Sequence, residues 1–108
     1  IMAPKNKWEL SDMMKYAVEF GGPIAIRYPR GEAYDGLMEH RAPIELGKEE
    51  VLCPGSRVAI LAIGSMVAAA VETAELLREQ GIEAKLINAR FAMPFDKELL
   101  DELSDEHF

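Results

Sequence analysis

The order of strand-like and helix-like segments between residues 57 and 91 constrains the fold more than any other feature of the chain. "RVAILAIG" is a continuous apolar run of the kind that a parallel sheet buries on both faces. Apolar residues then recur at helical spacing, and "EAKLINARF" has the composition of a second strand. Two strands joined by a helix predict a βαβ unit with a right-handed crossover, and therefore an α/β fold with a parallel sheet. A further helix is predicted after Pro94, with Asp96 as its N-cap.

The first part of the chain holds another helix and another strand. "PKNKWELSDMMKYAVEFGGP" predicts a helix capped by Asn6, with Glu9 three residues on in the position of a capping box. Its apolar stripe consists of Leu10, Met13, Met14, Ala17 and Val18. Gly21 and Pro23 end the helix, and the β-branched run "IAIRY" is predicted to follow as a strand.

The segment between these two α/β units is loosely patterned. Residues 31–55 are punctuated by Gly and Pro, which is typical of a linker, and only "PIELG" and "EEVL" could pair there as short strands. We therefore divide the chain into residues 1–41, a linker at residues 42–55, and residues 56–108.

Composition excludes several classes of protein. The net charge of −7 argues against nucleic acid as a partner. No stretch approaches the roughly 20 apolar residues of a membrane span. The single cysteine, Cys53, excludes an internal disulfide and a multi-cysteine metal site, and it fits a reducing compartment. We therefore expect a cytoplasmic protein with no membrane partner.

The motif "RYPRG" places Arg27 and Arg30 at the carboxyl end of a predicted strand, where open α/β sheets form their ligand crevices. Pro29 fixes its own φ, and Gly31 permits a sharp exit from the strand. A guanidinium group offers a planar fork of donors that suits a carboxylate or a phosphate. Each arginine could instead pair with an acidic neighbour, so the residues alone leave an anion site and a structural ion pair both open.

The remaining candidates favour structural roles. Ser65 is predicted to be a helix N-cap, because one glycine alone does not make a phosphate-binding loop. Asn88 and Arg90 follow the second strand, either near a crevice or, as we favour, with Arg90 bracing a loop or an interface. His40 and His107 lack the spacing of metal ligands. No set of nucleophile, base and orienting group can be assembled from these residues.

Five segments together carry a family resemblance. "MAPKNKWEL", "GGPIAIRYPRG", "PIELGKEEVL", "VAILAIGSMV" and "INARFAMPFD" occur in this order. The chain resembles the latter part of the 1-deoxy-D-xylulose-5-phosphate synthases, which are thiamine-diphosphate enzymes of the transketolase superfamily. The resemblance covers essentially the whole chain, and residues 1–3 read as the end of a strand already under way. We therefore expect a piece of a longer protein.

The resemblance implies a fold and an activity. Residues 1–41 would be the last helix and strand of a pyrimidine-binding-type α/β domain, and residues 56–108 the first half of the transketolase C-terminal parallel α/β domain. Enzymes of this family are homodimers that use thiamine diphosphate and Mg²⁺. They condense pyruvate with glyceraldehyde 3-phosphate, release CO₂ and form 1-deoxy-D-xylulose 5-phosphate, a precursor of isoprenoids, thiamine and pyridoxal phosphate.

The same resemblance assigns few site residues to this chain. Arg30 matches the arginine that binds the phosphate of the acceptor aldehyde, whereas Arg27 is either a second phosphate contact or a brace. The cofactor motif, the activating glutamate and the catalytic histidines belong to segments outside the chain, and neither His40 nor His107 matches them. The isolated chain is therefore expected to be inactive, with no catalytic, cofactor-binding or metal-binding residue of its own.

Three other interpretations remain open. The chain could belong to another enzyme of the superfamily, either transketolase or the beta chain of pyruvate dehydrogenase, although "RYPRG" and "NARF" argue against both. It could also be a non-catalytic module that dimerises.

Overall fold

A computed structural model describes residues 1–107, with side chains as far as residue 104. The helices and strands, in chain order, are α1 (Lys7–Phe20), β1 (Glu50–Cys53), β2 (Val58–Ala62), α2 (Met66–Glu79), β3 (Ala84–Asn88) and α3 (Lys97–His107). The strands form one three-stranded sheet in the order β1-β3-β2. The chain is thus an α/β structure with β3 at the centre of its sheet.

The predicted βαβ unit is confirmed, although its strands differ in burial. β2 and β3 pair in parallel, with Val58 opposite Ala84 and Ala62 opposite Asn88. The central strand β3 is almost wholly buried, but in β2 only Ala62 is buried. The expectation that the run at 57–64 is buried on both faces is wrong for this structure, because β2 is an edge strand with a neighbour on one side only.

The segment expected to be a linker contributes one strand to the sheet. Residues 21–49 contain no helix and no extended strand ladder, in agreement with their Gly-rich and Pro-rich composition. Glu50–Cys53, however, pairs antiparallel with β3, with Glu50 opposite Asn88. "EEVL" therefore finds its partner in β3, since the buried central strand needs hydrogen bonds on both edges. The division of the chain into domains stays a prediction.

Both predicted ends of α1 are confirmed. Asn6 has extended backbone at φ −151°, and its Oδ1 accepts from the Glu9 N–H at 2.8 Å. Gly21 ends the helix in the left-handed region at φ 77°. The single apolar stripe is divided, because Met13 is fully buried whereas Met14 and Val18 are 57% and 86% exposed.

The N-terminal segment joins α1 to the sheet side of the molecule. Met2 forms isolated bridges to Ile26 in parallel and to Phe91 antiparallel, so the strand predicted at "IAIRY" is reduced to one bridge. Its residues find no longer partner among residues 1–107 and stay half-buried or exposed. Met2, Met13 and Phe91 form a buried apolar cluster beneath this junction. No helix within residues 1–107 is both long and apolar enough to cross a membrane.

Candidate functional site

A cavity of about 470 Å³ lies between the start of α1, the loop at residues 28–34 and Ser65. Arg30 lines this cavity with an exposed side chain, together with Tyr28, Tyr34 and Asn6. Its guanidinium forms no ion pair or hydrogen bond with any residue that the structure describes. A hydrated, unpaired guanidinium beside apolar walls can exchange its water for an anion.

Arg27 lines a separate cavity of about 300 Å³ on the other side of the Tyr28–Pro29 step. Its backbone N–H donates to the Met2 carbonyl at 2.8 Å, and its side chain is exposed. The two arginines of "RYPRG" therefore do not share a cavity. Arg30 faces the larger cavity, and the backbone of Arg27 fixes the start of the loop.

Ser65 lines both cavities, but it is not the side-chain cap that the sequence predicts. The residue has helical backbone (φ −63°, ψ −17°), and its side chain forms no cap hydrogen bond. An N-cap residue needs extended backbone for its side-chain oxygen to reach the amides of the first turn. The first turn of α2 is closed instead by backbone bonds, such as Val67 N–H to the Gly64 carbonyl at 3.1 Å.

A second constellation is buried beside the first cavity. Five polar side chains, each at most 6% exposed, lie together between α1, β1 and β3. We call this group the buried polar cluster; it consists of Lys5, Glu9, Glu50, Asn88 and Arg90. The two cations balance the two carboxylates, which is the condition under which charged groups can be buried.

Glu9 and Glu50 accept most of the hydrogen bonds within the buried polar cluster. The Glu9 carboxylate accepts from Lys5 Nζ, Asn88 Nδ2 and Arg90 Nε, each at 3.0 Å. Glu50 lies 2.9 Å from Lys5 Nζ and 3.2 Å from Arg90 Nη2. Glu9 also accepts from the Lys5 backbone N–H at 2.9 Å, one residue before the amide that a capping box would use.

Arg90 is the brace that we favoured from the sequence. It is 2% exposed and left-handed at φ 63°. Besides its carboxylate partners, its guanidinium donates to the Pro43 and Ala42 carbonyls at 2.9 and 2.8 Å. Its own carbonyl accepts from the Ala3 N–H at 2.9 Å. Arg90 thus ties β3 to the N-terminal segment and to the segment before β1.

The environment of Glu50 favours its charged form. Burial opposes ionisation, but hydrogen bonds from Lys5 and from the Ala42 N–H, with the positive charge of Arg90, lower the pKa of the Glu50 carboxyl below its ordinary value. The buried polar cluster is therefore ionised at neutral pH on the Glu50 side.

The sequence singled out Asn88 and Arg90 but did not identify the carboxylates of Glu9 and Glu50 as their partners, nor Lys5 as the second cation of the cluster. The signal for a buried cluster is the polar pair Asn88 and Arg90 at the end of a buried strand, since a buried charge requires an opposite charge. The identity of that opposite charge depends on contacts across 38 to 81 residues of sequence. Such contacts have no periodicity to reveal them.

His40 does not line the Arg30 cavity. The His40 carbonyl accepts from Lys5 Nζ at 2.9 Å, and its ring is 3.8 Å from the exposed Glu39 carboxylate. The side chain of His107 lies outside the described residues. No group of three His, Cys, Asp or Glu side chains in the part of the chain that the structure describes could hold a metal ion.

Comparisons with known proteins relate the chain to one superfamily. Residues 47–107 match the model of the transketolase C-terminal domain. The 1-deoxy-D-xylulose-5-phosphate synthase of Lachnoclostridium phytofermentans is 47% identical over 99% of this chain and 17% of its own length. The synthase of the same name from Halothermothrix orenii is 50% identical over 93% of this chain and 16% of its own length.

A solved structure agrees with these sequence matches. A split-gene transketolase, an inactive beta4 tetramer, superposes with a TM-score of 0.89 at 31% identity, over 98% of this chain and 35% of that chain. The described chain thus spans about one sixth of the curated relatives that it matches. The match to residues 47–107 covers more than half of the sequence, and the chain belongs to the transketolase C-terminal domain family.

Proposed function

We propose that the chain is part of a thiamine-diphosphate-dependent synthase that condenses pyruvate with glyceraldehyde 3-phosphate to form 1-deoxy-D-xylulose 5-phosphate and CO₂. The proposal is supported by similarity over nearly the whole chain to proteins of that name. Within the chain, the single observation that carries it is the exposed Arg30 guanidinium in the larger cavity, which has no partner among the residues that the structure describes.

The proposed role of Arg30 is to bind the phosphate of the acceptor aldehyde. A phosphate dianion can accept two parallel hydrogen bonds from a guanidinium, which sets its orientation as well as its position. Holding the aldehyde by its remote phosphate converts binding energy into alignment of the reacting carbonyl. Arg27, in the separate cavity, is proposed to play a lesser part in binding the phosphate.

The remaining chemistry is proposed for the whole protein rather than for this chain. Thiamine diphosphate and Mg²⁺ would be held by residues beyond those described, and the chain alone would be inactive. We also propose that the whole protein is a cytoplasmic homodimer, and that residues 1–41 end a pyrimidine-binding domain.

A second candidate is a transketolase proper. The observation in its favour is the close superposition on a split-gene transketolase, at a TM-score of 0.89. The full-length protein supplied with pyruvate and glyceraldehyde 3-phosphate decides between the two: 1-deoxy-D-xylulose 5-phosphate is the expected product. Its absence, together with two-carbon transfer from a ketose phosphate, would establish the transketolase instead.

The proposed anchor is tested with Arg30→Ala in the full-length protein. The KM for glyceraldehyde 3-phosphate should rise by at least about tenfold, because a charge-assisted bidentate contact is lost, while the KM for pyruvate stays within about twofold. Arg57→Ala is the matched control, because Arg57 is also exposed but lines neither cavity. Equal increases in both KM values would rule out Arg30 as a phosphate anchor.

A further inference from the structure

The loop that carries Arg30 is held at its two ends. Before the loop, the Met2 carbonyl accepts from the Arg27 N–H at 2.8 Å. After it, the Tyr34 carbonyl accepts from the Lys7 N–H at 3.0 Å. Residues 28–33 between these points are exposed, so the position of Arg30 depends on what holds the two ends.

Asn6 forms the side-chain contacts that hold the second end of the loop. Its Nδ2 donates to the Gly36 carbonyl at 3.0 Å and to the Leu37 carbonyl at 3.4 Å. Its Oδ1 simultaneously accepts from the Glu9 N–H at 2.8 Å. The partners fix the orientation of the amide, because a backbone N–H requires an oxygen acceptor and two carbonyls require a donor.

The base of this contact is rigid. Asn6 is 4% exposed and lies next to Lys5, a member of the buried polar cluster. The first turn of α1 is thereby joined through Glu9 to Arg90, which follows β3. Asn6 also lines the cavity that Arg30 faces. One side chain therefore links an immobile helix start to the exposed loop.

We propose that Asn6 is a positioning residue for the loop that carries Arg30: its amide oxygen caps α1, and its amide nitrogen holds residues 36 and 37 so that the guanidinium faces the cavity. The inference rests on the proposed role of Arg30 in binding phosphate. It adds a residue that touches no substrate but sets the specificity for a phosphorylated acceptor.

The test is Asn6→Ser in the full-length protein. Serine is as good an N-cap as asparagine, so α1 keeps its cap, but its side chain is too short to reach the Gly36 carbonyl. We expect the KM for glyceraldehyde 3-phosphate to rise about fivefold, the effect of one net hydrogen bond, with kcat little changed. Unphosphorylated glyceraldehyde should react with unchanged kcat/KM, since it makes no use of the phosphate anchor.

Asp12→Asn is the matched control on the same helix, because the Asp12 carboxylate pairs with the exposed Arg41 and lies outside the Arg30 cavity. Asp12→Asn should leave kcat/KM for both acceptors unchanged. If Asn6→Ser lowers kcat/KM equally for both acceptors, or lowers it for neither, the positioning role is overturned. Asn6→Thr, which also keeps a capping hydroxyl, provides the same measurement if Asn6→Ser is poorly folded.

The double variant separates this inference from the proposed function. If Asn6 acts through Arg30, Asn6→Ser should cause no further increase in KM when Arg30 is already alanine, whereas independent effects would multiply. If Arg30→Ala lowers kcat/KM for the phosphorylated acceptor alone but Asn6→Ser does not, only the positioning role is overturned. No loss in either variant would overturn the phosphate anchor as well.

Discussion

Arg30 and Arg90 begin from similar sequence contexts and end in opposite environments. Arg30 lies four residues after the run "IAI" and Arg90 two residues after the strand segment "KLIN", so both lie just beyond a strand-like run. Arg90 is 2% exposed, donates to the Glu9 carboxylate and to two backbone carbonyls, and forms an ion pair with Glu50. Arg30 is exposed and has no partner among the described residues. The same side chain is therefore structural in one place and available for a ligand in the other.

The difference shows which arginine can bind an anion. Removing a charge from water is costly unless opposite charges and hydrogen bonds replace its hydration. The Arg90 guanidinium has exchanged its hydration for protein acceptors and is buried where a dissolved anion cannot reach it. Arg30 keeps its hydration, so a phosphate needs only to displace water. Burial and pairing, not the motif alone, separate the two roles.

The largest expected effect is from Arg90→Ala, which should lower the free energy of unfolding of the full-length protein by about 3–5 kcal/mol. The reason is that Glu9 and Glu50 would lose one of the two cations that they share, which leaves two buried carboxylates against Lys5 alone. Urea unfolding followed by circular dichroism measures the change. A decrease in the free energy of unfolding below about 1 kcal/mol would contradict the structural role of Arg90.

A smaller effect is expected in the acid stability of the buried polar cluster. The pKa of Glu50 is lowered from its ordinary value of 4.5, so the unfolded chain binds more protons than the folded one as the pH falls below that value. The stabilisation from Glu50 is therefore complete above pH 4.5 and is lost as the pH falls through the lower folded-state pKa.

Glu50→Gln should make stability depend less on pH in this range. The profile to measure is the urea midpoint of unfolding from about pH 6 to about pH 3. Glu32→Gln, which changes an exposed carboxylate on the Arg30 loop, is the matched control and should leave the profile as it is. An unchanged profile in Glu50→Gln would mean that Glu50 does not stay ionised within the buried polar cluster.

The smallest effect on stability is expected from Arg30→Ala. An exposed side chain without partners should change the free energy of unfolding by no more than about 0.5 kcal/mol. The same variant is expected to show the large change in KM for the phosphorylated acceptor. If Arg30→Ala lowers the free energy of unfolding and raises the KM for both substrates, Arg30, like Arg90, is structural in the full-length protein.

Local signals in the sequence were enough to predict much of the fold. The periodicity of residues 57–91 predicts the parallel β2–α2–β3 unit, and Asn6 and Asp96 cap their helices as expected. Ser65 failed as a cap because a capping role depends on its backbone conformation, which is helical. The strand β1 was assigned to a linker because four residues cannot reveal which strand they pair with.

The sequence predicted only part of the candidate site. The motif "RYPRG" identified Arg30 as a possible anion ligand, but it also placed Arg27 beside it. The structure puts these two side chains in different cavities, because the Tyr28–Pro29 step separates them. The contact of Asn6 with residues 36 and 37 could not be predicted, since it spans 30 residues of sequence that include all of α1 and an irregular segment after it.

The sequence by itself determined the three helices, the parallel pair of β2 and β3, and the presence of arginines near the ends of strand-like runs, because short-range periodicity and capping residues encode these features. Only the tertiary structure decided which arginine is buried against Glu9 and Glu50 and which faces an open cavity. That choice depends on charges brought together from distant positions. The free energy of a guanidinium depends on those surroundings and not on its neighbours in sequence.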